Sequence, residues 1–226
     1  MILDNSAYEM YVKGEEIIWD EFVDAIIQFQ PDYYILPDKL MDYDTTMIGS
    51  KEFLDTYSNR ISLLSTNIPK PLAVAQGNSD EELLKAIFEY QKMGIEYIGI
   101  PFHLSYFKEG KYPPALRTIF HCMGYEETED VKYAMGRVRF VAAYADVLKR
   151  VPKIHFLGSH CPYEKFFYHN FATMDTGYPV KLAMEGKRLG EEEEKPKILV
   201  DDYLDKELTK AQTDLIMENI QIFKKL

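Results

Sequence analysis

One stretch of the sequence contains a complete strand–helix–strand pattern, PLAVAQGNSDEELLKAIFEYQKMGIEYIGI at residues 71–100. The apolar runs 72–75 and 97–100 predict buried strands. Between them, Ser79 with a glutamate three positions later has the capping-box spacing of a helix start, and Gly94 predicts the helix end. A strand, a helix and a second strand in this order are typical of a parallel sheet covered by helices.

The same alternation continues in both directions from this unit. Further strands are predicted from Met1 onward and over residues 33–36, 154–157 and 171–174, and further helices over 16–28, 131–150 and 163–170. Six strands separated by helices predict an α/β fold of the (β/α)8 TIM-barrel type. A complete barrel of this type has about 250 residues. We therefore expect a single domain over residues 1–226 that forms a shortened or incomplete barrel.

The charge of the chain limits the way it can bind nucleic acid. A formal net charge of −11 argues against an extended basic face, because phosphate contacts supply most of such affinity. Any nucleic-acid contact must then rest on local basic groups. The candidates are Lys149, Arg150 and Lys153; Arg137 and Arg139; and Lys181, Lys187 and Arg188.

The composition also predicts a compartment and the absence of metals. Neither a long apolar run nor a secretory leader pattern is recognisable, so we expect a cytoplasmic protein without membrane contact. Cys122 and Cys161 are the only cysteines, and a thiol zinc site needs more of them. We expect neither a structural metal nor a cofactor.

Polar or ionisable residues follow every one of the six predicted strands. They are, in chain order, Asp4 and Asn5; Asp38; Gln76 and Gly77; His103; Ser159 and His160; and Asp175. An aspartate after a strand is also a common turn former or helix cap, so one such residue alone indicates little. The carboxyl ends of parallel strands meet at one edge of a sheet, however, and there the whole set predicts a site.

Several carboxylates around one pocket can divide the roles of nucleophile, acid/base and hydrogen-bond acceptor between them. Without a metal motif, such a set favours glycosyl transfer through a covalent sugar–carboxylate intermediate. The residue pattern does not choose the substrate.

Several segments resemble motifs of the tRNA-guanine transglycosylase superfamily, and especially its DNA-modifying branch, which inserts 7-deazaguanine bases into DNA. They are LDNSAYE at 3–9, similar to an Asp-Ser-Gly-Gly-Phe-Gln block; YILPD at 34–38; LAVAQG at 72–77, similar to a Val-Gln-Gly strand; IHFLGSHCP at 154–162, similar to a Leu-Gly-x-x-x-Pro strand; and ATMDTGYPVK at 172–181, similar to the nucleophile strand. The Asp-Thr-Gly-Tyr-Pro-Val form resembles the DNA branch most.

The resemblance implies a role for each strand-end residue. Asp175 would attack C1′ of a guanosine nucleotide, and Asp4 would move protons on the departing and incoming bases. Asp38 would accept hydrogen bonds from the guanine N1–H and 2-amino group, while Gln76 and the Gly77 N–H would donate hydrogen bonds to its O6. The remaining implied contacts to the substrate are Asn5, His103 and Gly158, with Tyr8, Phe102 or Tyr106 stacking on the base.

The leading hypothesis is therefore a DNA-guanine transglycosylase of a bacteriophage or bacterial DNA-modification system, which exchanges guanine for a base such as preQ0. Alternatives are a tRNA-guanine transglycosylase and a non-catalytic guanine-binding subunit. The family's Gly-Gly pair reads Ile100-Pro101 here, and its zinc-binding Cys-x-Cys-x-x-Cys motif is absent from the sequence. Family segments that precede the Asp-Ser-Gly-Gly block are also missing, so we expect a second copy or a partner subunit to close the barrel.

Overall fold

The computed structural model describes residues 1–5, 7, 10, 13–14, 16–64, 68–110, 112–124, 126–159, 161–168, 172–191 and 207–225. Its centre is a parallel sheet with the strand order β1-β2-β3-β4-β5-β6. The strands are β1 (Ile2–Leu3), β2 (Tyr33–Ile35), β3 (Lys70–Val74), β4 (Tyr97–Ile100), β5 (Lys153–Phe156) and β6 (Ala172–Met174).

Helices connect the strands and continue beyond the last one. They are α1 (Trp19–Phe29), α2 (Tyr43–Ser62), α3 (Asp80–Lys92), α4 (Ser105–Glu109), α5 (Pro114–Cys122), α6 (Glu129–Ala143), α7 (Ala145–Leu148), α8 (Tyr178–Met184) and α9 (Lys210–Lys225). A 3₁₀ helix spans Pro162–Phe167 between β5 and β6. None of the helices in the described residues combines the length and apolar character needed to cross a membrane.

The sheet curls into a half-barrel with helices on its outer side. The predicted parallel α/β architecture and the six predicted strands are confirmed. The complete (β/α)8 barrel is not formed in the described part of the chain, because β1 and β6 are the two edges of the sheet and do not pair with each other. Closure of such a barrel takes eight strands with a matched tilt and stagger.

Alternate residues of each strand face opposite sides of the sheet. On the outer side, residues such as Tyr34, Ile98 and Phe156 pack with the helices in the main hydrophobic core. On the inner side a second, smaller cluster forms from Ile35, Leu72, Val74 and Tyr97, with Tyr33 and Leu157 packed against it. The inner face is therefore filled with side chains at mid-strand and leads up to the polar residues at the strand ends.

Local signals in the sequence placed some elements well and missed others. The Ser79 hydroxyl accepts a hydrogen bond from the Glu82 N–H at 3.2 Å, as the capping box predicts. The helix predicted over 16–28 begins only at Trp19, and the helix predicted over 131–150 is divided at Tyr144. Helix α2 was not predicted, because polar Thr46 and Ser50 occupy buried positions on it and weaken its apolar pattern.

Candidate active site at the carboxyl ends of the strands

The strand-end residues form two polar clusters at the carboxyl edge of the sheet. The first lies on β1, β2 and β3 and is centred on Asp38. The second lies on β5 and β6 and is centred on Asp175. Because all strands are parallel, both clusters belong to the same edge of the sheet.

Three neighbouring strand ends build the Asp38 cluster. Asn5 Nδ2 donates to Asp38 Oδ1 at 3.0 Å, and Gln76 Nε2 donates to Asp38 Oδ2 at 2.7 Å. Asn5 Nδ2 also lies 2.8 Å from the Leu36 carbonyl oxygen, and Gln76 Oε1 accepts from the Met41 N–H at 3.0 Å. Asn5 and Gln76 are buried, so the two amides hold the carboxylate in one orientation.

This environment changes the acidity of Asp38. Burial raises its pKa to about 6, although the hydrogen bonds from Asn5 and Gln76 favour the ionised form and lower it. The negative charge of Asp4 raises the pKa further. Asp38 is therefore mostly ionised at pH 7 and becomes a neutral acid a little below it.

The Asp175 cluster joins β6 to β5. Asp175 Oδ1 receives both the Gly158 N–H at 2.9 Å and His155 Nε2 at 3.0 Å. An ionised carboxylate can only accept, so the contact places a hydrogen on Nε2 of His155. Asp175 itself is 55% exposed in its side chain, whereas His155 is only 7% exposed.

A second layer orients His155 from the inner face of the sheet. His155 Nδ1 lies 2.8 Å from Thr173 Oγ1, which in turn lies 2.6 Å from the hydroxyl of Tyr97. The network therefore runs from β4 through β6 to β5 and ends on Asp175. A donor held from behind in this way keeps a fixed direction towards the carboxylate.

The cluster keeps Asp175 ionised. Burial raises its pKa, but the hydrogen bonds from His155 and the Gly158 N–H, together with electrostatic attraction to His155 and Arg137, bring the pKa below the ordinary value for an aspartate. Asp175 thus combines an ionised carboxylate with an exposed position, which are the two properties a carboxylate nucleophile needs.

Asp4 lies at the end of β1, on the edge strand opposite to β6. It is exposed, and its charge acts on Asp38. The structure therefore places Asp4 beside the Asp38 cluster and on the far side of the half-barrel from the strand that carries Asp175.

The other predicted contact residues have different surroundings. Gly77 allows a close approach of α3, because a Cβ there would lie 2.7 Å from Cβ of Glu82. Phe102 is 1% exposed and faces the helix layer, so it is not accessible to a base in this arrangement. His103 packs edge-on against Phe102 and Tyr133. Tyr106 packs against the main core, and Tyr8 and His160 lie outside the described residues.

The basic groups proposed as phosphate contacts are largely engaged with acidic residues. Arg137 is fully buried against Glu164, so its prediction as a phosphate contact is wrong. Arg139 forms a bidentate pair with Asp80 at 2.7 Å. Lys187 pairs with Glu185, and Arg188 with Glu191 and Glu218. The run of charges over 186–197, GKRLGEEEEKPK, predicts a solvated loop, and half of this stretch, residues 192–197, lies outside the described residues.

Sequence reasoning did not include His155, Thr173 or Tyr97 in the site. A usable signal was present, because residues two apart on a strand share a face. Thr173 lies two residues before Asp175 and pairs in register with His155 on β5. The pairing register of two strands is what brings these side chains together, and register is a tertiary property.

Comparisons with known proteins add no assignment. No family model matches the chain. The search of curated proteins also found no match.

Proposed function

We propose that the protein exchanges bases on a nucleic acid, replacing guanine in DNA with a 7-deazaguanine such as preQ0 through a covalent intermediate on Asp175. The observation that carries the proposal is the pair of polarised carboxylates at one edge of a parallel sheet. Asp175 is held ionised and exposed, while Asp38 is held by two amides and has a raised pKa. Two carboxylates in different environments suit two different roles.

In the first half-reaction Asp175 attacks C1′ of the target nucleotide and the bond from C1′ to the base nitrogen breaks. The product is an ester between Asp175 and the sugar. Asp4, which is ionised in the free protein, takes up a proton from solvent and passes it to the departing guanine. His155 and the Gly158 N–H contact Oδ1, so the other carboxylate oxygen, Oδ2, takes neither of these hydrogen bonds and is the attacking atom. An ionised carboxylate is the form that can attack.

In the second half-reaction the incoming 7-deazaguanine loses a proton to Asp4, attacks C1′ and breaks the ester. Asp175 leaves as a carboxylate, and His155 and the Gly158 N–H stabilise the negative charge that returns to it. One bond from the sugar to a base replaces another, so the exchange needs no external energy source. A target inside a duplex must first be flipped out of the stack, which takes a few kcal/mol.

The Asp38 cluster is suited to bind the base. Each Asp38 oxygen accepts one hydrogen bond from an amide and has a further lone pair for the N1–H and 2-amino group of guanine. The Gln76 amide nitrogen carries two hydrogens, so it can bind Asp38 and the base O6 together. Recognition of this kind leaves buried partners unsatisfied when the base is wrong, which gives high selectivity.

A second candidate is a guanine-binding subunit without catalysis. It is favoured by one observation: the binding cluster is continuous across β1, β2 and β3, whereas Asp4 and Asp175 belong to opposite edge strands. In that case Asp38 is needed to bind the base, and Asp175 is dispensable for that binding. A second copy or a partner subunit that completes the open half-barrel stays a prediction for both candidates.

The deciding experiment measures incorporation of labelled guanine and preQ0 into duplex DNA, single-stranded DNA and tRNA. Asp175→Asn is the test variant, and Asp146→Asn is the control, because the Asp146 side chain is 96% exposed on α7. We expect label in DNA that is lost in Asp175→Asn and kept in Asp146→Asn. Label in tRNA alone would favour the tRNA enzyme. Base binding without any incorporation would favour the silent subunit and refute the mechanism.

A further inference from the structure

A fully buried ion pair lies directly behind the Asp175 cluster. Arg137 on α6 and Glu164 on the 3₁₀ helix are both 0% exposed. Arg137 Nε donates to Glu164 Oε1 at 2.7 Å, and Nη2 donates to Oε2 at 2.8 Å. Removing two charges from water has a penalty that such a pair often does not recover, so stability alone is a weak reason for its presence.

The third nitrogen of Arg137 points to the sheet. Nη1 donates to the Leu157 carbonyl at 2.8 Å and to the Ile100 carbonyl at 3.1 Å. These carbonyls lie at the carboxyl ends of β5 and β4. One guanidinium therefore ties the ends of two neighbouring strands to a buried carboxylate.

The carbonyl of Leu157 and the N–H of Gly158 belong to the same peptide unit. Its carbonyl accepts from Arg137, and its N–H donates to Asp175 Oδ1 at 2.9 Å. The peptide unit is planar and trans, so the direction of the carbonyl determines the direction of the N–H. The two hydrogen bonds at its ends also polarise each other.

The loop that follows is held to the same ion pair. Ser159 Oγ donates to Glu164 Oε2 at 2.8 Å, and the Ser159 N–H donates to the backbone carbonyl of Asp175 at 3.1 Å. Gly158 has a φ of +58°, a conformation that favours glycine. Arg137 and Glu164 thus contact both sides of the turn that presents its N–H to Asp175.

We propose that Arg137 is a positioning residue for Asp175, acting through the Leu157–Gly158 peptide to aim the Gly158 N–H at the carboxylate. The role of Asp175 as the nucleophile rests on the proposed function, whereas the positioning itself rests on the contacts alone. Within the described part of the chain, the ionisable groups that interact electrostatically with Asp175 are His155 on β5, Tyr97 on β4 and Arg137 on α6. Arg137 is the one among these three that reaches Asp175 through a peptide group.

The test is an NMR titration of the whole chain that needs no substrate. The carboxyl carbon of Asp175, assigned with Asp175→Asn, reports its protonation, and the Gly158 amide reports the hydrogen bond. Arg137→Met removes the contact to Leu157. Arg137→Lys keeps a cation opposite Glu164 but cannot reproduce the planar fork, and it decides the question if Arg137→Met fails to fold.

Two control variants separate positioning from general damage. Glu164→Gln breaks the ion pair but leaves Nη1 of Arg137 on the Leu157 carbonyl. Arg139→Met removes a bidentate pair on the same helix that makes its contacts with Asp80. Both controls lower stability without removing the donor behind the Gly158 peptide.

We expect the titration midpoint of Asp175 to move to higher pH in Arg137→Met and Arg137→Lys, with a smaller pH response of the Gly158 amide. In Glu164→Gln and Arg139→Met the midpoint should not rise. An unchanged midpoint in both Arg137 variants, or an equal rise in Glu164→Gln, would overturn the proposal. If the Arg137 variants show these shifts but the wild-type protein exchanges no base, the proposed function is refuted and the positioning role stays intact.

Discussion

The raised pKa of Asp38 makes folding stability depend on pH in a defined direction. The pKa is about 6 in the folded protein, whereas an ordinary solvated aspartate, as in the unfolded chain, has a pKa of 3.8. The folded state therefore binds the proton more tightly than the unfolded chain. The stability that this proton contributes is fully present below pH 3.8 and is lost as the pH rises through about 6. Replacing Asp38 with asparagine removes this dependence.

The size of the effect follows from the two pKa values. One pKa unit corresponds to about 1.36 kcal/mol, so the linkage relation gives about 2 kcal/mol between pH 4.5 and 7.5. Asp38 is partly exposed, and solvent screening reduces the expected change to about 1 kcal/mol. The wild-type protein should lose this amount relative to Asp38→Asn as the pH rises.

Urea unfolding at several pH values can measure the difference. Trp19 is the only tryptophan and packs edge-on against Phe22 and Phe53, so its fluorescence reports unfolding. Subtracting the Asp38→Asn curve cancels the other titrating groups, and Asp146→Asn serves as the exposed control. A stability difference that stays constant from pH 4.5 to 7.5 would refute the assigned environment of Asp38.

Three further predictions use other assays. Binding of free guanine, measured by calorimetry, should weaken about tenfold per pH unit below pH 6, because protonated Asp38 loses an acceptor; equal affinity at pH 5 and 7.5 would contradict this. Asp42→Ala should lower the unfolding free energy by about 1 kcal/mol, because the carboxylate caps α2 by accepting from the Thr45 N–H at 3.0 Å; an unchanged urea midpoint would speak against the cap. Gly136→Ala on α6 should lower the unfolding free energy by about 1–3 kcal/mol, because the new Cβ would lie 2.3 Å from the Phe107 backbone oxygen and α4 must move. An unchanged midpoint of thermal unfolding would show that α6 and α4 are further apart.

The environments of the two aspartates, rather than their presence, make the site informative. The sequence shows an aspartate after β2 and another after β6, and both are ordinary turn residues by type. In the structure, two buried amides on the neighbouring strands β1 and β3 engage Asp38, while a histidine and a backbone N–H engage Asp175. Those partners separate the acidities of two chemically identical groups.

The sequence alone was sufficient for the number of strands, their parallel arrangement and most strand positions. These features depend only on residues that are close together in the chain, so a local sequence pattern is enough to predict them. They include the apolar runs of the strands, the Ser79 helix cap and the helix end at Gly94. The sequence also placed Asp4, Asp38, Gln76 and Asp175 at strand ends. It did not predict α2, because buried polar groups such as Ser50 need distant partners, here the Pro37 carbonyl at 2.8 Å.

Only the tertiary structure decided what surrounds each of these residues. The curl of the sheet leaves β1 and β6 as edges, and the register of β5 with β6 brings His155 to Thr173 and Asp175. By sequence alone Arg137 resembles a surface charge on α6. It is buried because Glu164, 27 residues later in the chain, packs against it and forms an ion pair with it. Such contacts depend on which distant segments pack together, and a local sequence pattern carries no record of that packing.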